Sequence, residues 1–140
     1  MQLTPIIAIH ITAALAATAI GPVALWARRG TTQQPRLHRA FGYAWVTLMV
    51  ATALSALFIK GYKLPNISGY SPIHLLVPFT LFSLFGSFWY LARGNIARHR
   101  RIMQWLYIGA CVITGALTLL PGRFLGSQVL AGAPVPALNP

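Results

Sequence analysis

Hydrophobic positions fall into four long runs, Thr4 to Ala27, Ala40 to Ile59, Ser71 to Ala92 and Ile102 to Leu120, separated by short polar or basic links. Each run is close to the about 20 residues that a helix needs to cross a bilayer core. The pattern predicts four membrane helices over about 4–27, 37–59, 72–92 and 99–120, with 121–140 an external tail rich in Gly, Ala and Pro. Residues 1–140 then make a single membrane domain with no room for a second. Pro5, Pro35 and Pro72 stand where three of these helices begin, and a missing N–H costs nothing in a first turn. Gly21-Pro22 predicts a kink near the end of the first helix, and Pro78 a bend in the third. The first run lacks a basic leader and is longer than a signal-peptide core, so it reads as a retained helix.

The runs and links form one unit used twice. Ala27-Arg28-Arg29-Gly30 leads through Pro35-Arg36-Leu37 to His38-Arg39, and Ala92-Arg93-Gly94-Asn95 leads through Arg98 to His99-Arg100-Arg101. Each link follows an apolar helix with a histidine near its far end, His10 in the first case and His74 in the second. His10 precedes Arg28 by 18 positions and His74 precedes Arg93 by 19. With a rise of about 1.5 Å per residue, their depths differ by no more than one such step. Parallel repeats are related by an axis along the membrane normal. The expected fold is therefore an all-α four-transmembrane-helix bundle of two parallel two-helix repeats. In it His10 faces His74 near one surface, and His38 faces His99 near the other.

Composition agrees with a membrane class. The chain is 56% hydrophobic and 8% charged, where a soluble domain carries roughly 25% charged residues. It has 11 Lys and Arg and no Asp or Glu. Arg28, Arg29, Arg36 and Arg39 lie in the first link and Arg93, Arg98, Arg100 and Arg101 in the second, which leaves Lys60, Lys63 and Arg123 elsewhere. The positive-inside rule puts both links in the cytoplasm and both termini outside. Because the cations flank membrane spans, their expected partners are anionic lipid headgroups and not nucleic acid. The missing carboxylates exclude Asp-supported triads, paired-carboxylate glycoside chemistry, Asp/Glu proton relays and carboxylate-bound Mg or Ca. The single cysteine, Cys111, excludes an internal disulfide and a CxxC site, and reads as a small apolar residue of the fourth run.

Histidines and bound groups remain to do chemistry. A single membrane histidine commonly just hydrogen-bonds a neighbouring helix. Four of them at two matched depths exceed what packing asks for, and ionisable groups inside a membrane point to function. Two imidazoles on facing helices suit haem iron with both axial positions filled. Zinc wants four ligands; copper(I) accepts two histidines, helped by Met49 or Met103. The helix macrodipole keeps His38 neutral, the form that binds metal. Haem also brings propionates, for which Arg36, Arg39, Arg98, Arg100 and Arg101 on one side and Lys60, Lys63 and Arg123 on the other are partners, although topology and lipid account for most of these cations.

The expectation is one or two haems b, with His10 and His74 as axial ligands of the outer and His38 and His99 of the inner. Trp45 and Trp105 are candidates to line a haem or quinone edge, with packing as the commoner role. Bis-histidine iron has no open position, so the expected activity is electron transfer, as a membrane oxidoreductase or cytochrome working with quinone or another redox protein. No catalytic side chain is assigned, and an oligomer is compatible with all of this. Two alternatives stay open: a histidine-based copper carrier, and a cofactor-free helper subunit or assembly factor of a larger membrane complex.

Several motifs carry a family resemblance: His38-Arg39-Ala40-Phe41-Gly42, Ser71-Pro72-Ile73-His74-Leu75-Leu76, Ala92-Arg93-Gly94-Asn95, His99-Arg100-Arg101-Ile102-Met103, Leu106-Tyr107 and Leu120-Pro121-Gly122-Arg123. From about His38 to Arg123 the chain resembles a widespread bacterial family of predicted four-helix inner-membrane proteins of unassigned function. That likeness implies a multi-pass protein of the bacterial inner membrane and says little about activity. The alternation of histidines between helices one and three and helices two and four is separately similar to cytochrome b561. In that group two haems b, each held by two histidines on alternate helices, carry electrons across a membrane. The similarity is one of arrangement without shared motifs, and His38 and His99 lie nearer their helix starts than in that group.

Overall fold

The computed structural model describes residues 4–29, 31, 33–59 and 72–119; Lys60 and Lys63, and the tail from 121 with Arg123, lie outside them. Every regular element among the described residues is helical, with no strand. Helix α1 runs Pro5–Trp26, α2 Pro35–Leu57, α3 Leu76–Ala92 and α4 Ile96–Leu106. A 3-10 turn, Pro72–Leu75, leads into α3, and α4 continues without a break through a π-helical stretch, Tyr107–Ile113, into α5, Thr114–Thr118. The fourth helix of the bundle is thus the whole rod from α4 to α5.

Local sequence explains these boundaries. Pro35 takes the first position of α2, two residues ahead of the expected 37. The second basic link is a tight turn in which each residue has a capping role. Gly94, at φ 75°, occupies the left-handed region. Its N–H donates to the Leu91 carbonyl (3.0 Å) and that of Asn95 to the Tyr90 carbonyl (2.8 Å), which closes α3. Asn95 then opens α4, its side chain accepting from the Arg98 N–H at 3.1 Å. Helix α4 therefore starts at Ile96, three residues before the expected 99, and His99 sits a full turn inside it. Pro78 falls in the first turn of α3, after the 3-10 turn; there its missing N–H breaks no helical ladder, so it marks the helix start and not an interior bend.

Helices α1 and α2 pack as one hairpin and α3 and α4 as another, which is the sequence repeat in three dimensions. The hairpins meet mainly through α2 and α3, and the π-helical stretch leans on α1. Inward faces are small: Ala13, Ala17, Gly21 and Ala24 are the buried positions of α1. Outward faces are large and apolar, including Ile9, Leu15, Phe79, Phe82, Phe85 and Trp105. Small buried residues on α1 let α2 approach closely, and the large apolar residues outside suit lipid. By length and composition, α1 and α2 can each cross a membrane.

Pro22 lies inside α1 and cannot donate to the carbonyl of Thr18 one turn earlier. The Tyr107 hydroxyl, from the π-helical stretch, donates to that carbonyl instead at 3.0 Å. Gly21 makes room for the ring: a Cβ there would lie 2.5 and 2.6 Å from two Tyr107 ring carbons and 3.0 Å from Trp45 Nε1. Gly21, Pro22 and Tyr107 thus form one latch between the two hairpins.

Candidate cofactor site between the hairpins

The latch forms part of the wall of a cavity of about 370 Å³ at the basic-link end of the bundle, lined by all four helices. Both link histidines line it, His38 from α2 and His99 from α4, together with Arg28, Arg39 and Arg100. Gly21, Ala24 and Gly42 offer flat walls, and Trp45, Phe88, Met103 and Tyr107 supply apolar surface. The volume lies within the about 300–1,000 Å³ usual for small-ligand sites.

The tautomers follow from the partners. His38 Nδ1 lies 2.8 Å from the Ala24 carbonyl, and a carbonyl can only accept, so Nδ1 carries the proton. Ala24 is in the last turn of α1, where carbonyls lack helical partners; the Arg100 guanidinium likewise donates to the Arg28 carbonyl just beyond. His99 Nδ1 lies 2.8 Å from Ser87 Oγ and 3.3 Å from the Ser87 carbonyl. Ser87 is fully buried, and its hydroxyl faces the His99 carbonyl at 3.4 Å. Neither Nε2 has a hydrogen-bond partner among the described residues. One proton fixed on Nδ1 by an oxygen and a bare Nε2 is the usual state of a metal-binding histidine.

The other sequence candidates are placed differently. His10 Nδ1 lies 3.0 Å from the Thr52 carbonyl and 2.9 Å from Ser55 Oγ, which ties α1 to α2. His74 Nε2 lies 3.0 Å from the Ile59 carbonyl. Both are thus bound near the far end of α2, and no described contact joins His10 to His74. Arg98 donates to the Tyr90 hydroxyl at 2.9 Å, and Arg36 is exposed; neither is among the cavity residues. Trp105 is 68% exposed, on the outside of the bundle. Met49 is in the core, where its sulfur lies 3.6 Å from that of Cys111.

Sequence reasoning missed Arg28, Ser87 and Tyr107 as parts of this site. Ser87 did carry a signal, because Val77, Thr80, Leu84 and Ser87 recur at helical spacing and form the buried face of α3. Trp45, 5% exposed, keeps an indole N–H without a hydrogen-bond partner among the described residues. Two imidazoles whose Nε2 atoms have no hydrogen-bond partner among the described residues, guanidiniums for acidic substituents, and glycine and aromatic walls are the groups that a flat iron-bearing ring would need.

The family described as "Predicted membrane protein (DUF2306)" matches residues 7–132. No curated protein and no solved structure matches the chain.

Proposed function

The chain belongs to the predicted membrane protein family DUF2306, and from that premise we propose that it is a four-helix transmembrane cytochrome that moves electrons through haem b held by His38 and His99. In this reading α3 with its 3-10 turn and the rod from α4 to α5 cross the membrane beside α1 and α2. The basic links then face the cytoplasm of a bacterial inner membrane, with both termini outside. One observation carries the proposal: two imidazoles, each with Nδ1 bonded to oxygen and Nε2 bare, line a single cavity.

When bound, haem supplies a one-electron couple whose potential follows its axial ligands and its burial. The chain does the rest. His38 and His99 would hold the iron, and the Ala24 carbonyl and Ser87 hold their Nδ1 protons in place. Arg28, Arg39 and Arg100 are placed to pair with the propionates, and Trp45, Phe88 and Tyr107 exclude water. His10 and His74 are the ligands proposed for a second, outer haem. Quinone or another redox protein is the proposed electron partner.

Met103 supports a second reading. It is buried, lies one turn beyond His99 and lines the same cavity, so two imidazoles and a thioether also make a copper(I) set. Pigment extraction and metal counting on protein purified in mild detergent separate the two. One haem per chain supports the cytochrome, and stoichiometric copper without pigment supports the carrier. Absence of both, before and after haem is added, leaves a cofactor-free helper of a larger membrane complex.

A further inference from the structure

With no Asp or Glu in the chain, no guanidinium can meet a side-chain carboxylate, and counter-anions must come from outside. Three arginines of the second link are engaged with the protein. Arg93 lies over the Trp89 ring at 4.6 Å, Arg98 over the Tyr90 ring at 5.0 Å, and Arg100 donates to the Arg28 carbonyl. Arg101 has no hydrogen-bond or ring partner among the described residues. With Arg100 it borders an open groove on α4, completed by Ile96, Ala97 and Gln104.

The same side of the rod changes character along its length. Arg101 is followed one turn on by the exposed Gln104 and by Trp105, 68% exposed; then come Ile108 and Val112, 40% and 46% exposed. Cation, amide and apolar surface follow in the order of a phospholipid's phosphate, ester level and acyl chain. We propose that this groove and track form a specific site for an anionic phospholipid. Its phosphodiester sits between Arg100 and Arg101, Gln104 meets the ester level, and one chain lies along Trp105, Ile108 and Val112. Forked guanidiniums match phosphate oxygens in geometry and charge. A zwitterionic lipid offers the same phosphate, but its own cation is repelled by a chain of formal charge +11. Arg101, Gln104 and Trp105 lie outside the cavity between the hairpins, and only Ile96 and Arg100 border both sites.

Native mass spectrometry of the full chain in neutral detergent tests this, with phosphatidylglycerol, phosphatidylcholine and inorganic phosphate as probes. Phosphatidylglycerol is expected to be retained over phosphatidylcholine and not to be displaced by phosphate at equal concentration. Arg101→Gln should weaken retention about fivefold, the effect of one cation at a lipid surface, and Trp105→Ala should weaken it while circular dichroism stays unchanged. Arg29→Gln, an equal loss of charge on the other link, should leave retention as it was. Equal retention of the two lipids, displacement by phosphate, wild-type retention by Arg101→Gln or by Trp105→Ala, or an equal loss in Arg29→Gln would each overturn the site.

Discussion

The latch between Gly21, Pro22 and Tyr107 allows a prediction sized from the structure. A methyl at position 21 would stand 2.5 Å from Tyr107 Cε2, and the ring cannot retreat without losing the Thr18 carbonyl, 3.0 Å from its hydroxyl. Overpacking costs about 1–3 kcal/mol and an unmade buried hydrogen bond about 1–3 kcal/mol, so Gly21→Ala should destabilise by about 2–6 kcal/mol. Tyr107→Phe keeps the ring and loses only the bond, for about 1–3 kcal/mol. Pro22→Ala returns an N–H to the Thr18 carbonyl, and in that background Tyr107→Phe should cost well under about 1 kcal/mol. Unfolding by SDS in mixed micelles, followed by circular dichroism, measures all four variants. The coupling between positions 22 and 107 is decisive. An equal cost for Tyr107→Phe in both backgrounds would mean that the hydroxyl does not stand in for the missing backbone donor.

Three further outcomes follow from the same geometry. Ser87→Ala should weaken haem retention about 10–100-fold, the usual scale for a residue that orients a ligand, with partial recovery in Ser87→Thr; transfer of haem to an acceptor protein reads this, and unchanged transfer would remove Ser87 from the site. Asn95→Ala should lower stability by about 1 kcal/mol through loss of the α4 cap, and Gly94→Ala by roughly 1–2 kcal/mol because φ is positive there; no change in either would contradict the tight turn. His10→Ala should cost about 1 kcal/mol through the lost hydrogen bonds to α2, since Ser55 Oγ still donates to the Thr52 carbonyl, with the optical signal from the basic-link cavity intact, and a lost signal would instead place His10 in that chromophore.

Much of this arrangement is visible in the sequence. The twofold unit announces itself in the matched basic links, and the structure gives each copy its own hairpin. The all-helical class follows from run length, because lipid leaves the backbone few other ways to satisfy itself. The apolar runs begin at Ala40 and Ile102, later than the helices do: Pro35, visible in the sequence as a first-turn residue, starts α2, and the Gly94-Asn95 pair starts α4 through backbone geometry that hydropathy does not report. The grouping of His38 with His99 was legible from the repeat. His10 and His74 occupy equally matched positions, yet each is bound to an oxygen near the end of α2, since a repeat fixes depth along a helix but not which neighbour a side chain meets. Ser87 and Tyr107 join the site through contacts across helices, with sequence separations of 12 and 89 residues, and no local pattern reveals such pairs.

The most direct test of the central claim is the reduced-minus-oxidised absorption spectrum of the haem-supplied protein beside its His38→Ala and His99→Ala variants. A Soret band and a sharpened α-band in the parent, both lost in each variant while circular dichroism remains helical, is the predicted result. A parent that stays colourless, or bands that persist in both variants, would contradict ligation by this pair.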